Sequence, residues 1–470
     1  MNAHGNGAFD LAVIGAGSAG FSAAIRGAEL GAWVALVGFG TIGGTCVNVG
    51  CVPSKTLIRA TEALHQARGA ARFNGLRATA SVVDWGAVIA QKDDLVQDLR
   101  RAKYQDLLGA YPSISYHDGP ARLTGEGVTV NGEVLAADKV IVATGTAPAP
   151  AAIPGIGDVP VLTSTTAMEM ERLPASLLVV GGGFIGCELA QMFARAGVAV
   201  TVVTRSRLLP QAEPEIGEAL AGVFHEEGLT VIGGGAYRAI RRTPTGIALT
   251  VDVAGRVETI AAEKILVTAG RRPNTRDLGL EDVGVTLAAD GAVKVDEHMR
   301  TSRPGTYAAG DVTGRDQFVY MAAYGAKIAA ENAIKGDTRA YDATAMPWVV
   351  FTDPQAAGVG LTETEARAQG LDVRTSTLDL AHVPRALAAR DTRGLIKLVA
   401  EKGTDRLLGA HILAPEGGET IQTAAMAIKG GLSVAALAET LFPYLTTVEG
   451  LKLAAQAFDK DVSLLSCCAG

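Results

Sequence analysis

The chain has 470 residues, enough for about three domains at roughly 150 residues each, which excludes a single small module. Glycine accounts for 57 residues and aromatic residues for only 5%, so close backbone approach matters more than aromatic stacking. The net charge is −7 without a block of Lys or Arg; this excludes nucleic acid and anionic membranes as favoured partners and leaves small molecules.

Hydropathy and cysteine usage predict a cytoplasmic protein. The most hydrophobic stretch, residues 177–203, is interrupted by Glu188, Gln191 and Arg195, so no membrane span is expected. The first ten residues are polar and lead into a glycine motif rather than a cleavage site. Five cysteines are too few, and odd in number, for a disulfide scaffold. Local thiol chemistry is expected instead.

Two glycine-rich segments each lie between a predicted strand and a predicted helix. The first, residues 9–36, contains Gly15, Gly17 and Gly20. The second, residues 177–203, contains Gly181, Gly183 and Gly186, followed by a helix through Arg195. One GxGxxG motif is a weak signal, because glycine also makes ordinary tight turns. Two copies in the same setting predict an α/β protein with two Rossmann-like dinucleotide-binding domains.

Domain limits follow from proline density and from changes of pattern. Pro148, Pro150 and Pro154 predict a crossover between domains. The similar strands KVIVATG and KILVTAG predict that each dinucleotide-binding domain closes in the same way. After residue 345 the pattern changes to that of an α+β domain, with helices near 418–430 and 433–441. The predicted division is a first dinucleotide-binding domain in 1–147 and 271–345, a second in 148–270, and a C-terminal domain in 346–470.

A cysteine pair follows the first glycine motif in the sequence GGTCVNVGCVPSK. A straight helix would separate the Cα atoms of Cys46 and Cys51 by roughly 8–9 Å, beyond the ~7 Å limit for a bridge. The helix must therefore be distorted, which Gly50 permits. The spacing does not suit a common zinc knuckle, and no second cysteine pair or histidine follows nearby. A redox pair fits better than two buried thiols in a core helix.

This motif, the two glycine fingerprints and the later AGD sequence together resemble the flavin-dependent pyridine-nucleotide disulfide oxidoreductases, over nearly the whole chain. The resemblance implies that the first fingerprint binds FAD, that the second binds the nicotinamide nucleotide, and that electrons pass through the flavin to the cysteines. It implies that Cys51 lies nearest the flavin and that Cys46 meets the substrate. Lys55, paired with Glu188, would stabilise negative charge on the reduced flavin; the alternative is an ordinary surface pair.

Further cofactor contacts are expected from motif position. One departure is Gly38, which ends the second strand where an acid normally binds the adenosine ribose and which cannot accept that hydrogen bond. The residues carried over for FAD are Gly40, Thr45, Ala121, Gly145, Asp311 and Val319; those for the nicotinamide nucleotide are Phe184, expected over the nicotinamide pocket, and Gly270.

The second nucleotide site favours NADPH. Its second strand ends at Thr204-Arg205-Ser206-Arg207, without a carboxylate and with two arginines that can bind a 2′-phosphate. The alternative is a pair of exposed arginines on a turn.

The C-terminal region separates members of the family. Dithiol-specific members carry a His-Pro motif here, whereas this chain has Tyr444, a poor proton shuttle between thiols at neutral pH. Cys467 and Cys468 near the chain end suit capture of a thiophilic metal ion. These features resemble those of the mercuric reductases, a branch of the family. The resemblance implies reduction of Hg(II) to Hg(0) by NADPH, with the ion exchanged from small thiols to Cys467 and Cys468 and then to Cys46 and Cys51.

The resemblance also implies a homodimer whose active sites are shared between subunits, with the C-terminal domain forming the interface and Tyr444 lining the passage of the ion. Two alternatives stay open. One is an NAD(P)H-dependent disulfide or dihydrolipoamide reductase, and the other is a flavoprotein that sequesters the metal without reducing it.

Overall fold

A computed structural model describes residues 8–462. In the α/β part of the chain, buried strands rich in β-branched residues alternate with alanine-rich helices. The helices cover both faces of such strands, which explains why the strands are apolar throughout. The strands are β1 Phe9–Ile14, β2 Val34–Gly38, β3 Ile114–Asp118, β4 Ala121–Leu123, β5 Val128–Val130, β6 Glu133–Leu135, β7 Ala137–Val142, β8 Thr146–Pro148, β9 Val161–Leu162, β10 Ser176–Val180, β11 Ala199–Val203, β12 Thr230–Ile232, β13 Gly235–Thr243, β14 Gly246–Val253, β15 Arg256–Ala262, β16 Lys264–Val267, β17 Arg271–Pro273, β18 Thr306–Ala308, β19 Pro347–Val350, β20 Gln355–Gly360, β21 Val373–Asp379, β22 Leu395–Glu401 and β23 Leu407–Ala414.

The helices follow the amphipathic and alanine-rich segments. Several short 3-10 turns and one π-helical turn, Arg101–Gln105, lie between or beside them. The α-helices are α1 Ser18–Glu29, α2 Gly44–Val49, α3 Cys51–Arg68, α4 Trp85–Arg100, α5 Ser164–Ala167, α6 Phe184–Arg195, α7 Pro214–Glu226, α8 Val319–Lys335, α9 Glu363–Ala368, α10 Pro384–Ala389, α11 Gly417–Lys429, α12 Val434–Glu439 and α13 Glu449–Gln456.

The chain divides into two compact units, each built from separated segments. The first comprises residues 1–56, 87–149 and 270–342, and the second comprises residues 57–86, 150–269 and 343–470. The predicted division differs from this one, because it separates a C-terminal domain and keeps residues 57–86 in the first domain; it stays a prediction.

The first unit is organised around a five-stranded parallel sheet in the order β18-β7-β1-β2-β3. Strand β18 comes from the third segment of the unit and pairs with β7. Helices α1 and α8 pack against each other on this sheet, with Phe21, Ala24 and Ala326 in the shared core. A three-stranded antiparallel sheet, β4-β5-β6, and a two-stranded one, β17-β8, complete the unit.

The second unit contains a second parallel sheet in the order β12-β11-β10-β16-β9. It also contains the antiparallel sheet β13-β14-β15 and the C-terminal antiparallel sheet β19-β20-β23-β22-β21. Helices α11 and α13 cover the C-terminal sheet through Ile421, Ala424 and Leu451. Both Rossmann-like sheets and the α+β C-terminal part confirm the predicted fold class.

Candidate functional site

The first glycine fingerprint forms a cradle of backbone atoms between β1 and α1. A Cβ atom on Gly15 would lie 2.3 Å from the carbonyl oxygen of Ala143, and one on Gly20 would lie 1.6 Å from that of Gly15. Gly17 caps α1 without any side-chain hydrogen bond. The N–H groups at a helix start carry partial positive charge and bind phosphate. This cradle therefore fits the pyrophosphate of a dinucleotide.

The cysteine pair lies at a break between two helices. Helix α2 ends at Val49, Gly50 takes φ −128° and ψ −111°, and α3 begins at Cys51. A Cβ atom on Gly50 would lie 2.9 Å from the carbonyl oxygen of Thr45. The expected distortion at Gly50 is thus present. Cys46 and Cys51 are not joined in a disulfide, and their thiols are hydrogen-bonded to each other.

Helix α2 is joined directly to the first fingerprint. The Gly43 N–H donates to the carbonyl oxygen of Ala16 at 2.8 Å. The approach is so close that a Cβ atom on Gly44 would lie 2.6 Å from the Cα atom of Gly17. The cysteine pair and the phosphate cradle are therefore parts of one site.

The environment of the pair distinguishes the two thiols. The hydrogen bond to Cys51 and burial raise the pKa of Cys46 far above its usual range. Cys46 therefore keeps its proton and donates a hydrogen bond to the sulfur of Cys51. Burial also raises the pKa of Tyr104, whose hydroxyl lies 3.4 Å from that of Ser18.

A buried polar network in the same unit was not predicted from the sequence. The Arg271 guanidinium donates to the hydroxyl of Thr146 at 2.7 Å and to its carbonyl oxygen at 2.8 Å. The Thr146 hydroxyl donates to Asp311 at 2.9 Å. Burial lowers the pKa of Arg271, while the charges of Asp311 and Cys51 oppose that shift. The cation thus acts on the site that contains Cys51. The one sequence signal was the position of Arg271 directly after KILVTAG.

The other residues predicted for FAD are also in the first unit. Asp311 opens a 3-10 turn directly after Gly310, three residues beyond the end of β18 at Ala308. Gly40 lines a cavity together with Tyr116 and Asp118. Thr45 belongs to α2, Ala121 begins β4, Gly145 follows β7 with its carbonyl accepting from Asn274, and Val319 begins α8.

The second fingerprint repeats the geometry of the first in the second unit. Gly183 caps α6 without a side-chain bond, and a Cβ atom on Gly186 would lie 2.1 Å from the carbonyl oxygen of Gly181. The ring of Phe184 stacks on Trp348, with the centroids 5.3 Å apart. Its placement over a nicotinamide pocket stays a prediction, as does the role of Gly270, which lies in the first unit.

Glu188 is buried on α6, and its carboxylate accepts a hydrogen bond from the Phe351 N–H at 2.9 Å. Its burial does not fit the alternative of an ordinary surface pair. Lys55 belongs to the first unit and Glu188 to the second, so their pairing stays a prediction. Cys187, beside Glu188, is fully buried, as expected for a core thiol.

The two arginines after β11 differ in their surroundings. Arg207 donates to the carbonyl oxygens of Leu209 and Ala212 at 2.9 and 2.8 Å. Arg205 is exposed, and its charge acts on the hydroxyl of Tyr237. Arg207 thus braces its own loop, whereas Arg205 faces solvent at the end of the strand.

At the C-terminal end of the described chain, Tyr444 is about half exposed, between the exposed side chains of Leu441 and Leu445. Cys467 and Cys468 lie outside the described residues.

Within residues 8–462, no cluster of three or more His, Cys, Asp or Glu residues could hold a metal ion. Over the same range, no helix is long and apolar enough to span a membrane.

Two segments of the chain match a known protein family and its dimerisation domain. Residues 9–329 match the family described as pyridine nucleotide-disulphide oxidoreductase. Residues 346–455 match the dimerisation domain of the same family.

Individual proteins are similar over nearly the full length. A mercuric reductase of Streptomyces lividans is 48% identical, with 98% of each chain covered. A mercuric reductase of Shigella flexneri is also 48% identical, over 99% of this chain and 83% of the relative. Among solved structures, the HOCl-induced flavoprotein disulfide reductase RclA of Escherichia coli superposes with a TM-score of 0.83 at 30% identity, covering 97% of this chain and all of that one.

Proposed function

Because the chain belongs to the pyridine nucleotide-disulphide oxidoreductase family, we propose that it is an NADPH-dependent flavoenzyme that reduces Hg(II) to Hg(0) and so detoxifies mercury. The observation that carries the proposal is the hydrogen-bonded pair of Cys46 and Cys51 beside the first fingerprint. It occurs in a chain whose similar curated proteins are mercuric reductases over nearly its whole length.

The residues of the first unit fit FAD. The cradle at Gly15, Gly17 and Gly20 would hold the pyrophosphate, and Asp311 would accept hydrogen bonds from sugar or ribityl hydroxyls. When bound, FAD supplies a two-electron carrier between NADPH and the metal. Arg271 would keep positive charge close to Cys51, which favours the thiolate there.

The cysteine pair binds the substrate. Two thiolates are soft ligands well matched to Hg(II), and Cys46 releases its proton as its sulfur binds the ion. Two electrons from NADPH then convert Hg(II) to Hg(0), which leaves, while both sulfurs remain as thiolates. The overall reaction is NADPH plus Hg(II) giving NADP⁺, a proton and Hg(0).

For NADPH, we assign the 2′-phosphate contact to Arg205. The exposed guanidinium at the strand end is able to bind phosphate, whereas Arg207 already bonds to two carbonyl groups. Arg207 then supports the loop that carries Arg205. The backbone at Gly181, Gly183 and Gly186 would hold the pyrophosphate.

Delivery of the ion is the part that depends on the chain end. In a cytoplasm rich in small thiols, Hg(II) must be captured by thiol exchange. Cys467 and Cys468 would take the ion from its small-thiol complex and pass it to Cys46 and Cys51 of the other subunit of a homodimer. Tyr444, exposed on the C-terminal part, would line this passage.

The test is an assay of the purified protein with NADPH, excess small thiol and Hg(II), recording both Hg(0) vapour and NADPH loss. We expect equal amounts of each. Cys51→Ser should abolish both, whereas Cys187→Ala, which changes a fully buried thiol of the second unit, should retain both.

The two alternative functions give different results in the same assay. A disulfide reductase would oxidise NADPH with oxidised glutathione or lipoamide and release no vapour with Hg(II). A sequestering flavoprotein would bind Hg(II) without consuming NADPH. Either result would contradict the proposal.

A further inference from the structure

The end of β2 lacks the acid that usually binds an adenosine ribose, and another side chain fills its place. A Cβ atom on Gly38 would lie 2.4 Å from the hydroxyl oxygen of Tyr116 and 2.8 Å from the Cβ atom of Ala16 in the fingerprint loop. The φ angle of Gly38 is not in the left-handed region, so the backbone alone does not require glycine. Packing requires glycine at this position, because Tyr116 occupies the volume that a side chain at position 38 would need.

Tyr116 belongs to β3, the strand next to β2. In the parallel register, Leu36 is opposite Tyr116 and Gly38 is opposite Asp118. Residues two apart on a strand point to the same face, so Tyr116 and Asp118 form a polar pair there. Burial raises the pKa of Tyr116, and the negative charge of Asp118 adds to the rise. At neutral pH the phenol is therefore an intact O–H group beside a carboxylate.

Both side chains line one cavity of about 650 Å³ in the first unit. The volume is within the range of small-molecule sites. The cavity lies outside the carboxyl ends of β2 and β3, where open parallel sheets bind ligands. The π-helical turn Arg101–Gln105 forms part of its wall, a distortion often found at functional sites. The other lining residues are Gly40, Thr41, Ile42, Gln97, Arg100 and Leu108.

We propose that Tyr116 and Asp118 together bind the adenosine ribose of FAD, in place of the acid that Gly38 removes from β2. Each ribose hydroxyl can donate to the Asp118 carboxylate or to the Tyr116 oxygen, and the Tyr116 O–H can donate in return. The ribose would thus be bound by residues of β3 instead of by a residue at the end of β2. The inference rests on the proposed function only in taking FAD as the cofactor.

The test measures flavin binding to the apoprotein by quenching of flavin fluorescence, without turnover. The probes are FAD, FAD made with 2′-deoxyadenosine, and FMN, which has no adenosine. We expect the unchanged protein to bind FAD about tenfold more tightly than the deoxy form, equivalent to about 1.4 kcal/mol. Tyr116→Phe and Asp118→Asn should each reduce this preference and weaken FAD binding several-fold, with FMN affinity unchanged. The matched controls are Tyr111→Phe and Asp138→Asn, in the same unit but outside the cavity.

A reciprocal exchange gives a second test. Gly38→Glu should weaken FAD binding because the new side chain meets the Tyr116 hydroxyl, and adding Tyr116→Ala should restore binding by making room for the carboxylate. Equal affinity of the unchanged protein for FAD and its 2′-deoxy form would overturn the inference, even if every variant failed to fold. A protein that showed this preference but released no Hg(0) would instead contradict the proposed function alone.

Discussion

The difference between Cys46 and Cys51 is set by one hydrogen bond and by burial. Cys46 donates to Cys51, and both effects raise its pKa far above that of an ordinary thiol. We therefore expect Hg(II) binding to the reduced pair to release one proton from Cys46. An ordinary thiol ionises near pH 8.5, so the amount of proton it releases would decline as the pH rises through that value. Because the pKa of Cys46 is raised, release should stay constant from about pH 7 to about pH 9. The proton release is measured with an indicator dye in weakly buffered solution.

The proton measurement needs a background in which the chain-end thiols cannot contribute. The Cys467→Ala, Cys468→Ala double variant provides it, and adding Cys46→Ser should eliminate the release. A release that falls by about three-quarters between about pH 7.5 and about pH 9 would show that the Cys46 pKa is ordinary.

Individual site residues were predicted where a short motif carries them. Cys46, Cys51 and the fingerprint glycines belong to such motifs, because their spacing is fixed by a turn or a helix. The network of Arg271, Thr146 and Asp311 was not predicted, since its members are far apart in sequence. Thr146 and Arg271 meet through the pairing of β8 with β17, and Asp311 follows β18. The position of Tyr116 against Gly38 likewise depends on the register of β2 with β3.

At the scale of elements, the break between α2 and α3 brings the two thiols together. Gly50→Ala places a Cβ atom 2.9 Å from the carbonyl oxygen of Thr45, so the backbone must shift. We expect a loss of about 1–3 kcal/mol in the free energy of unfolding, typical of overpacking, and slower disulfide formation between Cys46 and Cys51. Urea unfolding and thiol titration under a mild oxidant measure the two effects.

Gly109→Ala is the matched control for this change. Gly109 lies in a short helical segment of the same unit, and a Cβ atom there would meet no atom within 4 Å. Equal behaviour of the two variants would mean that the break does not depend on glycine at position 50.

The elements themselves were predicted well where hydrophobic periodicity and glycine agree. Both strand-turn-helix-strand segments were expected, and β1, α1, β10 and α6 confirm them. The small antiparallel sheets were not predicted. Strands such as β5 and β6 have three residues each, too few for a period of two to be distinguished from a loop.

At the scale of the whole molecule, the proposed homodimer makes each active site from two chains. Subunits with Cys51→Ala keep the terminal thiols, and subunits with Cys467→Ala and Cys468→Ala keep the redox pair. Only a mixed dimer has one complete site, so random mixing after dissociation should restore about a quarter of the turnover of the unchanged enzyme in excess thiol. The restored turnover is measured as the rate of Hg(0) release before and after mixing.

The two inactive parents, each taken through the same dissociation alone, are the control. If mixing restored no turnover while mixed dimers were present by mass, the terminal thiols would serve their own subunit. The proposed sharing of active sites would then be wrong, although the reaction itself would stand.

The arrangement of the first parallel sheet has a consequence for synthesis on the ribosome. Four of its strands, β1, β2, β3 and β7, are complete by residue 142, but β18 is supplied by residues 306–308. A nascent chain must therefore emerge past residue 308 before the edge of β7 is covered. Asp311, proposed to hold the flavin, emerges at the same moment. Cofactor capture and completion of this sheet are thus late events of translation, after the 150–269 segment of the second unit has already left the exit tunnel.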